Sequence, residues 1–155
     1  MPRRSAGLIM YRHPLHKLEV FLVHPGGPFF AGKDLGAWSI PKGEYLEGED
    51  ALEAARREFQ EETGFPVSDP FLDLGSIKQA GGKIVSAWAF EGDCDPASLV
   101  SNYCAVEWPP RSGRSIQIPE VDRGSWFPIA EASKRIKSTQ VPLLDRLSTL
   151  LNAKE

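Results

Sequence analysis

The sequence predicts a single α/β domain, and three observations point there. Its 155 residues suffice to bury one core without disulfide or metal staples and leave little room for a second. Short runs rich in β-formers stand on both sides of one strongly helical segment, 50–63. A second helical pattern closes the chain, with Leu143, Leu144, Leu147, Leu150 and Leu151 at helical spacing. One domain is therefore expected over 1–155.

Taken in order, Ala6 to Tyr11 and Glu19 to Val23 read as strands, with Pro14 and the surrounding histidines as the turn between them. His24 to Gly36 holds two prolines and four glycines and reads as a loop, of a length that often serves binding. Asp50 to Thr63 is the best helix. Asp50 with Glu53 resembles a capping box, the interior is rich in helix formers, and Gly64 sits where a left-handed residue ends a helix. At about 100° per residue, Ala51, Leu52, Ala55 and Phe59 share one face, with Glu58 and Glu62 along its border and Glu61 just outside. Phe71 to Lys78 and Lys83 to Phe90 read as a hairpin turning at Ala80-Gly81-Gly82. Gly92 to Arg114 reads as irregular. Ile116 to Val121 and Ser125 to Phe127 are short strand candidates, and Ile129 to Ile136 and Val141 to Asn152 are the closing helices.

Composition narrows the class. Hydrophobic residues at 41% and charged residues at 25% argue against wholesale disorder. A net charge of −3 gives no basic footprint for duplex nucleic acid. No run approaches the roughly 18 apolar residues of a membrane span, and Met1-Pro2-Arg3-Arg4-Ser5 lacks the apolar stretch of a signal peptide. Cys94 and Cys104 form neither a CxxC pair nor a disulfide framework, so a cytoplasmic, reducing setting is expected.

The average charge conceals an acidic knot. Between Glu44 and Glu62 eight acids face only Arg56 and Arg57, leaving that segment at −6 and the rest of the chain at +3. Carboxylates at 58, 61 and 62 occupy i, i+3 and i+4 positions of one helix, which destabilises an isolated helix by about 0.2–0.5 kcal/mol per pair. A hard divalent cation would reverse the sign, because magnesium takes oxygen ligands and sits between carboxylates and substrate phosphates. A solvated acidic face that binds nothing is the ordinary alternative for such a run.

The flanking residues decide between them. From Gly43, five residues lead to Glu49, and seven more lead to Arg57-Glu58-Phe59-Gln60-Glu61-Glu62-Thr63-Gly64-Phe65. This matches every position of the Nudix box, G-x5-E-x7-R-E-U-x-E-E-x-G-U, where U is a bulky apolar residue. A chance match in this chain has odds on the order of one in a million at background residue frequencies. The chain resembles the Nudix hydrolases. The resemblance implies a mixed β-sheet sandwiched between α-helices and a Mg²⁺-dependent hydrolase, with Mn²⁺ as a substitute, acting on a diphosphate linkage in a nucleoside diphosphate derivative. By position it implies Glu58, Glu61 and Glu62 as metal-binding catalytic residues and the main-chain carbonyl of Lys42 as a further ligand. Gly43, Glu49, Arg57 and Gly64 would support the site.

Members of the family commonly place another acid beyond the box. Glu120, six residues before Trp126, is the first candidate for a fourth ligand or general base, with Asp122 and Glu107 as runners-up. Lys42, Lys83 and Lys33 are candidate phosphate contacts, and Tyr103 and Trp108 candidate base-stacking residues. Trp38 and Trp88 read as core, and His24 as a packed or surface histidine. The lead-in Trp38-Ser39-Ile40-Pro41-Lys42-Gly43 is similar to that of dinucleoside polyphosphate hydrolases, which makes diadenosine tetraphosphate the first substrate expected. ADP-ribose, nucleoside triphosphates and RNA ends are alternatives, as is a nucleotide-binding module without catalysis. The expected partner is a small nucleotide rather than a membrane or duplex, and the protein is expected to be a monomer or homodimer.

Overall fold

The computed structural model describes residues 3–153, so the first two and last two residues of the expected domain lie outside the described residues. Strand β1 (Arg4–Arg12) is the axis of a mixed sheet that also contains β2 (Glu19–Pro25), β3 (Lys42–Glu44), β4 (Leu72–Lys78), β5 (Ile84–Glu91) and β8 (Val121–Pro128). The strand order is β4-β5-β1-β2-β8, with β3 paired to β1. Strand β5 runs parallel to β1 along Arg4 to Tyr11, and the other pairings are antiparallel.

Alternation along the strands sorts the core into two layers. Ala6, Leu8, Met10, Phe21, Val23 and Phe90 face helix α1 (Ala51–Thr63), which contributes Ala54, Ala55 and Phe59. Ile9, Val20, Leu22, Val85, Ala87 and Ala89 face α2 (Ile129–Arg135) and α3 (Val141–Ala153) through Ala132, Leu143, Leu144 and Leu147. The chain is thus a single α/β domain with helices on both faces of a mixed sheet. Residues buried on both sides explain why β1 and β2 read as nearly unbroken apolar runs.

Three details depart from the sequence reading. The buried face of α1 is centred on Ala54, Ala55 and Phe59, while Ala51 and Leu52 are only half-buried. The stretch expected to be irregular contains a strand, β6 (Tyr103–Glu107), which pairs with β7 (Ser115–Pro119) as a two-stranded ribbon off the main sheet. The last strand is longer than its Ser125–Phe127 core, and Ile116 to Val121 divides at Glu120 between β7 and β8.

Helix α1 begins and ends as its residues dictate. Asp50 caps it by accepting the Glu53 N–H at 3.0 Å. Gly64 ends it at φ 77°, its N–H returning to the Gln60 carbonyl at 2.8 Å. Carbonyls left over in the last turn are taken by the chain before β6: Val100 N–H bonds the Thr63 carbonyl and Asn102 N–H the Glu61 carbonyl, both at 2.9 Å. No helix among the described residues is long and apolar enough to cross a membrane.

Candidate active site

A fork in the sheet creates the site. On the side of β1 away from β5, β3 pairs with Ser5 to Gly7, whereas β2 pairs only with Tyr11 and Arg12. Residues between the two contacts diverge, and the segment 38–41 fills the wedge, bridging Val23 through Ser39. Leu8 N–H bonds the Pro41 carbonyl and Tyr45 N–H bonds the Arg4 carbonyl. Alternation in an antiparallel pair then turns the main-chain N–H and C=O of Lys42 away from β1. They face the C-terminal half of α1. At this fork lies a cleft of about 130 Å³ lined by Pro25, Ile40, Lys42, Glu62, Glu120 and Lys137. That volume suits phosphate groups, not a whole nucleoside. A larger concavity of about 860 Å³ outside the 44–49 loop reaches neither Glu62 nor Glu120.

The carboxylates of α1 are not equivalent. Glu62 is buried, with 6% of its surface exposed. Its burial, with Glu120 and Glu58 nearby, pushes its pKa up to about 8, only partly offset by the Lys42 ammonium and the Lys42 backbone N–H. The Glu58 carboxyl is raised as well, first by burial and then by Glu61 and Glu120, against the lowering effect of Arg57. Its carboxylate lies against the α-carbon of Gly43, where a Cβ would overlap it. Glu61 is half-exposed, and Arg57 Nε stands 3.8 Å from its Oε1.

Arg57 organises this face. Its guanidinium pairs with Glu49 and stands 3.3 Å from Glu58. Glu49 in turn accepts the Leu46 N–H at 3.2 Å, fastening the loop after β3 to the helix. The Gly43 and Gly64 positions are equally concrete, one a close approach and the other a left-handed helix end.

Glu120 arrives from another part of the chain. Its N–H bonds the Asn102 carbonyl at 2.9 Å, its carbonyl accepts the Gly26 N–H at 3.0 Å, and its Oε1 accepts from Asn102 Nδ2 at 3.4 Å. Since Asn102 is itself bonded to the Glu61 carbonyl, a backbone ladder runs from α1 through Asn102 to Glu120. Asn102 Oδ1 is buried without a hydrogen-bond partner. Sequence reading missed Asn102; an Asn before a strand has no signature of its own.

Lys42 and Lys137 also line the cleft. Lys42 is held down to a pKa of about 8, first by burial and then by Lys83 and Lys137, against Glu62 and Glu44. The Lys137 ammonium is also lowered, by burial and by Lys83. Lys137 was likewise invisible in the sequence, one basic residue in a helix connection.

The remaining candidates lie elsewhere. Asp122 is turned away by an irregularity in the β2–β8 register, and its Oδ1 lies 3.0 Å from His24 Nδ1. Glu107 accepts the Arg111 and Gly113 N–H groups at the tip of the ribbon. His24 is fully buried, its Nε2 donating to the Lys33 carbonyl at 2.6 Å. Lys33 lies with its ammonium 3.8 Å from the centre of the Phe29 ring. Tyr103 is exposed at the ribbon end next to Glu120, opposite Pro119 in register, whereas Trp108 is at the far end beyond Glu107. Trp38 is buried and donates to Asp34; Trp88 is half-buried against the α1-side core.

The donor chemistry fits a hard divalent cation. Glu120 raises the proton affinity of both Glu58 and Glu62, and Glu58 raises that of Glu62, a cost that a cation would offset. Among the described residues no group of three acids, histidines or cysteines already stands at metal-holding spacing. Arg57 stands near Oε1 of Glu58 and Oε1 of Glu61 and leaves Oε2 of each carboxylate without an arginine contact.

Comparison with known proteins agrees with this fold. A family model for the NUDIX domain matches residues 1–147. An uncharacterized 17.7 kDa protein from the e-segB intergenic region of Enterobacteria phage T4 is 31% identical over 132 residues, 83% of each chain. Among solved structures, a C. elegans Ap4A hydrolase binary complex matches with a TM-score of 0.68 at 22% identity, covering 96% of this chain and 98% of that one. The NUDIX domain of Shewanella oneidensis NrtR complexed with ADP ribose matches with a TM-score of 0.66 at 17% identity, covering 97% and 89%. The chain belongs to the Nudix family of pyrophosphohydrolases.

Proposed function

We propose that this protein is a magnesium-dependent hydrolase that cleaves a diphosphate linkage in a dinucleoside polyphosphate such as diadenosine tetraphosphate. The observation that carries this reading is the convergence of Glu62, Glu120 and Lys42 on one phosphate-sized cleft. Glu58, Glu61, Glu62 and the Lys42 carbonyl hold the cation, which Mn²⁺ can replace. When bound, the cation neutralises the diphosphate and acidifies the attacking water. Glu120 orients that water and accepts its proton or completes the ligand set. Arg57 and Glu49 brace the loop against the helix, with Gly43 and Gly64 admitting the close approaches. Lys42 and Lys83 contact phosphate, and Tyr103 is better placed than Trp108 to stack a base beside the cleft.

The substrate reading draws on the Trp38 to Gly43 lead-in and on the likeness to the C. elegans Ap4A hydrolase. A second reading, ADP-ribose as substrate, draws on the NrtR domain's complex with ADP ribose. Retention of all the box acids favours catalysis over a binding module. The free Cys94 and Cys104 suit a reducing cytoplasm, and 1–155 is read as one functional unit, monomeric or dimeric. The test is incubation with magnesium and a panel of diadenosine tetraphosphate, ADP-ribose, nucleoside triphosphates and diphosphoinositol phosphates. ATP and AMP from the tetraphosphate are expected. No turnover of any member would favour the binding module.

A further inference from the structure

Two half-buried lysines, Lys42 and Lys137, line the cleft with half-buried Lys83 close to both, and the nearby Glu62 and Glu44 only partly offset their charge. Lys42 comes from β3, Lys83 immediately precedes β5, and Lys137 lies in the link between α2 and α3. They are close enough that Lys83 and Lys137 both depress the Lys42 ammonium, and Lys83 depresses Lys137. Among the described residues none of the three takes part in an ion pair. Gathering like charges in a partly desolvated place costs stability, unless a polyvalent anion occupies it.

The wall is rigid. Lys137 N–H bonds the Trp38 carbonyl at 2.9 Å, and the following turn is locked by buried Gln140, which accepts from Ile40 N–H and donates to Ser39 Oγ, both at 3.0 Å. Gln79 connects the third lysine: its N–H bonds the Lys83 carbonyl at 2.7 Å, and its Nε2 reaches Thr139 Oγ1 at 3.3 Å. The same wedge that positions Lys42 thus positions the other two.

We infer that Lys42, Lys83 and Lys137 form a phosphate cradle that selects substrates whose scissile diphosphate continues into at least one further ionised phosphate. Lys137 is the specificity-determining member. The inference rests on the hydrolase reading above and deepens it: the carboxylate wall takes the cation and the diphosphate, and the lysine wall takes the next phosphate along. ADP-ribose presents a ribose there, and a hydroxyl gains far less from an ammonium than a phosphate does. Chains of three or more phosphates are therefore the substrate class, whether nucleoside-linked, free or inositol-linked.

The test compares wild type with Lys137→Met, using Lys134→Met on the exposed side of α2 as the control. With diadenosine tetraphosphate and magnesium, Lys137→Met is expected to raise KM about tenfold with kcat within about twofold, and to leave ADP-ribose kinetics within about twofold. Equilibrium binding of inorganic tripolyphosphate in excess magnesium is expected to weaken about tenfold in Lys137→Met and not in Lys134→Met. Tripolyphosphate and a diphosphoinositol phosphate run as substrates beside the tetraphosphate identify the source by the highest kcat/KM. Equal losses on tetraphosphate and ADP-ribose, or tripolyphosphate affinity unchanged in a variant that melts like wild type, would overturn the cradle. Lys137-dependent tripolyphosphate binding without turnover of any substrate would uphold the cradle and overturn the hydrolase reading.

Discussion

The carboxylate of Glu58 rests against the α-carbon of Gly43, in space that any side chain at position 43 would claim. A glycine fifteen residues before its helix partner is thereby explained by contact, not by backbone freedom. The group that Gly43→Ala would displace is the end of a flexible side chain, so the fold should absorb it. We expect the melting temperature to fall by no more than about 4 °C. Magnesium-dependent kcat/KM should fall at least about tenfold, because residues that orient a ligand carboxylate are worth about 10–100-fold. A variant with normal turnover would show that Glu58 need not sit where it does.

Arg57 touches Glu49, Glu58 and Glu61, so the loop after β3 and two acids of α1 share one guanidinium. Arg57→Ala and Glu49→Gln should each lower kcat/KM by about 10–100-fold. Because the two act as a unit, the double variant should lose about as much as either single one. Losses that multiply would mean that the brace does not exist.

Glu120→Gln should lower kcat by at least about 100-fold with KM within about threefold, the range of a lost general base. Asn102→Ala keeps the backbone ladder to Glu61 and Glu120 and removes only the side-chain bond at 3.4 Å, so its loss should be smaller. Steady-state kinetics of the two variants side by side decide the ranking. Near-normal turnover of Glu120→Gln would remove that residue from the mechanism.

Asp34 closes the base of the 26–36 loop, accepting from Trp38 Nε1 at 2.8 Å and pairing with Arg135 at 2.5 Å. These bonds hold its carboxyl below the ordinary aspartate value, with Trp38 the first cause and Arg135 the next. A lowered folded pKa contributes stability above the unfolded value, about 3.9, and loses it as pH falls further. Asp34→Asn should therefore melt below wild type at pH 7, and the gap should close as pH falls through and below about 4. A gap that persists in acid would assign the difference to packing instead of charge.

Much of the site was legible because it lies on one helix. The spacing of Glu58, Glu61 and Glu62, the cap at Asp50 and the stop at Gly64 follow from local rules, and the box supplied Glu49 and Arg57. The burial of Glu62 exceeds what its border position on the helix suggests, since β3 and the segment carrying Glu120 close over it. What was not legible depends on tertiary pairing. Tyr103 to Glu107 is a ribbon strand with little apolar surface to bury, so its pattern is weak, and Lys42 to Glu44 is too short to show any period. Asn102 and Lys137 matter only because hydrogen bonds bring their segments to α1 and to Trp38, across distances that no local pattern records.

In the proposed hydrolase the buried carboxylate of Glu62 works through a bound divalent cation. Titrating magnesium into wild type and Glu62→Gln while following hydrolysis of the best substrate tests it most directly. Wild type is expected to show metal-dependent turnover that chelation abolishes, and Glu62→Gln at least about a 100-fold loss at saturating magnesium. Turnover in Glu62→Gln equal to wild type, or wild-type turnover that survives chelation, would contradict it.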